Sequence, residues 1–128
     1  MFKIDEDKTI HLTRGDMAQL EISTKDPATG SDHTFKKDDK VRLTVCEKGD
    51  YGKVVLRKEV VVSGETTVVD MVLDGNETKI GDIISKSKEY WYEIEVNPGP
   101  ATQTIIGHDE DGPKKFMLYP EGSDGDES

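Results

Sequence analysis

Two acidic clusters, Asp109-Glu110-Asp111 and Asp124-Gly125-Asp126-Glu127, group hard oxygen ligands within a few residues of one another. Carboxylate oxygens are what calcium takes. Neither cluster sits in the long loop of alternating ligands, closed by a bidentate Glu, that makes such a site specific. Both read as solvated segments. His11, His33 and His108 stand far apart, and none has a second ligand at metal spacing. Cys46 is the only cysteine, which excludes an intrachain disulfide and a thiolate zinc site and fits a reducing compartment. Ser63-Gly64 belongs to a turn rather than a nucleophile elbow, and no Gly-rich phosphate loop or local Ser/His/Asp grouping is present. The sequence therefore predicts no catalytic residue, no metal and no cofactor, and a protein that is not an enzyme. Arg14-Gly15-Asp16 matches the adhesion tripeptide, yet Gly followed by Asp is also what a tight turn requires. Asn76-Glu77-Thr78 satisfies the glycosylation sequon and reads as loop composition.

Chemistry of contact is better represented. Trp91 alternates with Glu89, Glu93 and Glu95, so the largest apolar side chain falls on an acidic face, with the equipment of a sugar-stacking platform. Val55 and Val61 fall opposite Leu56 and Val60, and Val68 and Val72 opposite Val69 and Met71. Strands that are apolar on both faces are covered on both sides. Val55, Val61, Val68, Val72 and Trp91 are accordingly the candidate partner interface, the alternative being cover by the chain's own loops.

The elements that must position these residues are strands. Side chains of a strand alternate between faces, so a period of two marks a ribbon buried on one side. Ala18, Leu20 and Ile22 share one face, as do Val41, Leu43 and Val45, and as do Tyr90, Tyr92, Ile94 and Val96. Thr9 to Leu12, Thr102 to Ile106 and Lys114 to Tyr119 add further short strands. Val54 to Val62 and Thr66 to Leu73, separated by Ser63-Gly64-Glu65, carry a hairpin signature. Residues 25–32, Asn97 to Pro100 and Gly107 to Pro113 are turn-rich. Asp74 could cap one helical turn reaching Ile80. The order predicts an all-β, antiparallel sandwich with one short helical turn over residues 1–120, and an acidic mobile tail over 121–128.

With 128 residues the chain is sized for one core without staples. Its net charge of −10 would repel a polyanion, so nucleic acid and anionic membrane surfaces are not expected partners. The N-terminus lacks the apolar core of a secretory signal, and no apolar run is long enough to span a bilayer.

Several segments taken in order resemble the N-terminal immunoglobulin-like domain of upper baseplate proteins in the tails of phages and prophages of Gram-positive bacteria. They are Leu12 to Asp16, Thr34-Phe35-Lys36, Asp39 to Val45, Tyr90 to Ile94, Thr104-Ile105-Ile106 and Lys115 to Leu118 before Pro120-Glu121. The resemblance spans about Lys8 to Glu121. It implies an immunoglobulin-like sandwich and a structural, non-enzymatic virion component. That component would be made in the bacterial cytoplasm and would pack against copies of itself and other tail proteins. Gly107 to Pro113 looks like an insertion relative to that family. The rival expectation is a ligand-binding sandwich module that takes calcium through its acidic loops or carbohydrate on Trp91.

Overall fold

A computed structural model of the chain describes residues 1–121. The acidic tail expected over 121–128 lies, Glu121 excepted, outside the described residues. Among the described residues the secondary structure is β1 (Phe2–Ile4), β2 (Ile10–Thr13), β3 (Ala18–Ile22), β4 (Lys40–Glu47), β5 (Asp50–Val61), β6 (Val69–Leu73), β7 (Lys88–Val96), β8 (Gln103–Ile106) and β9 (Lys114–Tyr119). The fold is all-β. A seven-stranded sheet has the order β1-β2-β9-β7-β4-β5, with β8 also on β7, and a two-stranded sheet pairs β3 with β6.

The alternation sets which side chains meet. Ala18, Leu20 and Ile22 from β3 and Val69, Met71 and Leu73 from β6 are buried against Ile10, Leu12, Val41, Leu43, Val45, Tyr90, Tyr92, Ile94, Val96, Phe116 and Leu118 of the large sheet. Each fully buried side chain of this kind contributes about 1.5–3 kcal/mol relative to exposure. Phe35, from the segment between β3 and β4, and Ile80, from the connection between β6 and β7, complete the core.

Three expectations need correction. The large sheet is mixed, because β2 runs parallel to β9 with Ile10 opposite Phe116 and Thr13 opposite Tyr119. An early and a late strand side by side need no short turn, so nothing local dictates their sense.

Val54 to Val62 and Thr66 to Leu73 do not form a hairpin: β5 pairs with β4 and β6 with β3. The backbone of the connector is claimed elsewhere. Val62 N–H donates to Asp39 O, Asp38 N–H donates to Val62 O, and Phe35 and Thr66 exchange both their bonds. Val62 turns into the core, and the chain crosses from one sheet to the other. The tight hairpin is instead β4–β5, around Lys48 and Gly49, whose φ of 80° only glycine adopts cheaply.

Residues 74–80 form a capped turn and not a helix. Asn76 and Glu77 N–H donate to Asp74 Oδ1 at 2.9 Å, and Asp74 N–H donates to Glu77 Oε1 at 3.0 Å, the reciprocal bonds of a capping box. Propagation stops because Thr78 is buried on a neighbouring turn, Ile80 enters the core, and Gly81 has a φ of 64°.

The insertion-like Gly107 to Pro113 has a simple placement. β8 pairs with Ile94 to Val96 and β9 with Lys88 to Tyr92, so the two lie end to end along one side of β7. The excursion bulges out between them.

Candidate functional site

On the outward face of the large sheet, Trp91 stands opposite Cys46, Glu93 opposite Thr44, and Glu95 opposite Arg42. The acidic ladder is partly answered there, since Arg42 lies 3.8 Å from Glu95. Burial, with Glu95 adding to it, raises the Glu93 carboxyl above its usual range, while Arg42 and Arg57 oppose that. Trp91 is half-buried and donates its indole N–H to Glu89 at 2.9 Å. Its ring meets Tyr51 at 5.6 Å and His108 edge-on at 6.2 Å between centroids. Tyr51 comes from the irregular start of β5 and His108 from the excursion between β8 and β9. The chain is tightly packed just before His108, where a Cβ on Gly107 would meet the Thr104 methyl at 2.7 Å.

Under this aromatic group Cys46 is fully buried, its thiol directed at Trp91 O. Burial raises the Cys46 thiol above its ordinary range, and Glu93, Asp50 and Glu47 push the same way. Such a thiol is inert rather than nucleophilic.

The structure divides the candidate interface. Val61, Val68 and Val72 are exposed, at 54%, 43% and 44%. Val55 occupies the irregularity between Val45 and Cys46 in the β4–β5 register and packs partly against the core. Val61 ends β5, the outermost strand of the large sheet, while Val72 lies on β6 and Val68 just before it. Val61 and Val69 border one shallow cleft. Trp91 is not with them. It neighbours the Val54 end of β5 through Cys46, about 23 Å along the strand from Val61.

Other sequence candidates resolve into structural roles. Arg14 is 8% exposed, and its guanidinium donates to Ile80 O and Gly81 O and faces Glu121. Gly15 has a φ of 90°, so the tripeptide is a turn with its arginine committed inward. Asp109 accepts from Lys114 at 2.9 Å and from Asp111 N–H, and these bonds hold its carboxyl below the usual range. Among the described residues no three His, Cys, Asp or Glu converge to hold a metal. Asp124 to Glu127 lies outside the described residues. His33 meets Phe35 edge-on. Thr78 of the sequon is fully buried.

One grouping escapes sequence reasoning altogether. His11 lies 2.7 Å from Asp5 through Nε2 and 2.7 Å from Tyr119 through Nδ1. A carboxylate only accepts, so in the neutral ring Nε2 carries the proton and Nδ1 accepts from the phenol. The group ties the turn after β1 to β2 and β9. Its only sequence signal was the face shared by residues 11 and 119, and that exists only once β2 and β9 are known to run parallel.

No protein-family model, no curated protein and no solved structure matches the chain.

Proposed function

We propose that this chain is a structural, non-enzymatic module of a phage or prophage tail or baseplate, working in the virion through contacts with copies of itself and with other tail proteins. The observation that carries the reading is the exposure of Val61 at the end of β5, on the edge of the large sheet, and of Val72 on β6 and Val68 just before it, in the small sheet. Its immunoglobulin-like character is supported by the order β9-β7-β4-β5 facing β3-β6, which parallels the G-F-C-C′ and B-E strands of variable-type domains. The segments that carry the family resemblance fall on β2, β4, β7, β8 and β9 and on the Phe35 anchor. Light scattering after size exclusion tests the contact directly. The expected result is an oligomer whose mass falls toward that of the single chain in the triple variant Val61→Lys, Val68→Lys, Val72→Lys. A monomer at high concentration that binds no tail component refutes the reading.

A second reading follows from the Trp91, Tyr51 and His108 rings, which offer a sugar-stacking surface beside the Glu89 carboxylate. Titration with glucose, galactose and N-acetylglucosamine would then quench Trp91 fluorescence. Unchanged emission removes that reading. The calcium form of the same idea requires a melting temperature that rises with millimolar calcium.

A further inference from the structure

β8 interrupts the regular order of the large sheet. It pairs with β7 on one side only, because β2 begins at Ile10, opposite Phe116, and does not reach it. The reason is local. Asp5 to Thr9 forms a tight turn, with Asp5 N–H donating to Thr9 O, Lys8 N–H donating to Asp5 O, and Lys8 at a φ of 74°. Among the described residues, no backbone hydrogen bond joins Gln103–Ile106 to anything but β7. An edge of this kind presents unpaired N–H and C=O groups and is a template for another strand.

The space beside that edge is open and shaped. A cleft of about 610 Å³ lies on the side of the Glu6 to Thr9 turn, and one of about 560 Å³ on the side of Thr24 to Pro27. Both are lined by Thr104 and Ile105. Between the two sheets, a slot of about 130 Å³ opens beside Ile106, walled chiefly by Ile10, Leu20, Ile22, Tyr92 and Ile94, with Lys8, Glu21 and Ser23 on its rim.

Charge indicates the occupant. Glu6, Asp7, Asp111 and Asp26 line the two clefts. Of the lysines there, Lys114 is bound by Asp109 and Lys25 by Asp32, leaving Lys8 and Lys115. Asp7 is held ionised chiefly by its bond from Thr9 N–H. We propose that the free edge of β8 takes an extended, basic peptide segment of another protein by strand addition, with a branched apolar side chain in the Ile106 slot. Main-chain bonds to β8 give affinity, and the slot and carboxylates give selectivity. The site is separate from the exposed valines on β5 and β6.

The test uses the full chain and a fluorescein-labelled heptapeptide amide of alternating lysine and valine, followed by anisotropy. Its partners are the same peptide N-methylated at alternate backbone amides and a glutamate–valine counterpart. Expected results are at least tenfold weaker binding for both partners, a similar loss in Ile105→Lys, and unchanged binding in the triple valine variant. Hydrogen exchange of Gln103 to Ile106 should slow when the basic peptide is added. Any of three results overturns the proposal: anisotropy that does not move up to millimolar protein, equal binding of the methylated peptide, or protection that appears elsewhere. Self-association abolished by Ile105→Lys would make a second copy the occupant and equally refute it.

Discussion

Replacing Thr78 with valine deletes one hydroxyl while keeping the shape of the side chain. That hydroxyl donates to Asp16 O at 2.8 Å and accepts from Gly15 N–H at 3.1 Å, joining the 74–80 turn to the turn between β2 and β3. Thr78 is fully buried, whereas Gly15 and Asp16 are half-buried. A net hydrogen bond is worth about 1 kcal/mol, and a buried group left unpaired costs about 1–3 kcal/mol. Water can partly replace the hydroxyl at a half-buried amide, so Thr78→Val should cost about 2 kcal/mol. With an unfolding entropy of about 2.1 cal/mol/K per residue, a chain of this length should lose about 7 °C in Tm. Thr78→Ser keeps the bonds and removes one methyl group, costing about 1 kcal/mol. Urea unfolding followed by Trp91 fluorescence measures both, and the exchange rate of the Gly15 amide reports the lost acceptor directly. A Thr78→Val protein within about 0.5 kcal/mol of the parent, or a Thr78→Ser variant less stable than it, would show that packing and not the hydroxyl joins the two turns.

Gly75→Ala should destabilise by about 1–3 kcal/mol in the same urea assay, because its Cβ would lie 2.6 Å from the backbone oxygen of Gly15 and one turn must give way. Cys46 should react with Ellman's reagent at least a hundredfold more slowly in the native protein than in urea, given its burial and raised thiol; equal rates would place it at the surface. Burial of Tyr92 raises its phenol above the ordinary value of 10.0, with Asp7 adding to the effect. The unfolded chain therefore loses that proton first as pH rises, and this contribution is whole below about pH 10 and declines above it. Tyr92→Phe should flatten the alkaline loss of stability measured by urea midpoints, while costing about 1 kcal/mol at neutral pH for the lost bond to Lys8 O.

Much of the core was legible residue by residue. Tyr90, Tyr92, Ile94 and Val96 face inward, as do Ala18, Leu20 and Ile22, because alternation is a property of one strand's own backbone angles. The turns at Gly15 and Asn97 were equally local, both with positive φ. The choice of partner strand was not. Ser63-Gly64-Glu65 has the composition of a hairpin, but the segment from Phe35 to Asp39 competes for the same backbone groups and wins. The surface around Trp91 was half legible: its face could be read, but Tyr51 and His108 reach it from the start of β5 and from the excursion after β8, neither of them next to it in sequence. The group of Asp5, His11 and Tyr119 needed both ends of the chain side by side. Sequence by itself determined which side is dry in the ribbons that alternate strictly, β3, β6 and β7 among them. Only the tertiary structure decided which ribbons meet, because every backbone donor and acceptor is offered to all strands at once and the pairing is settled by the closure of the whole chain.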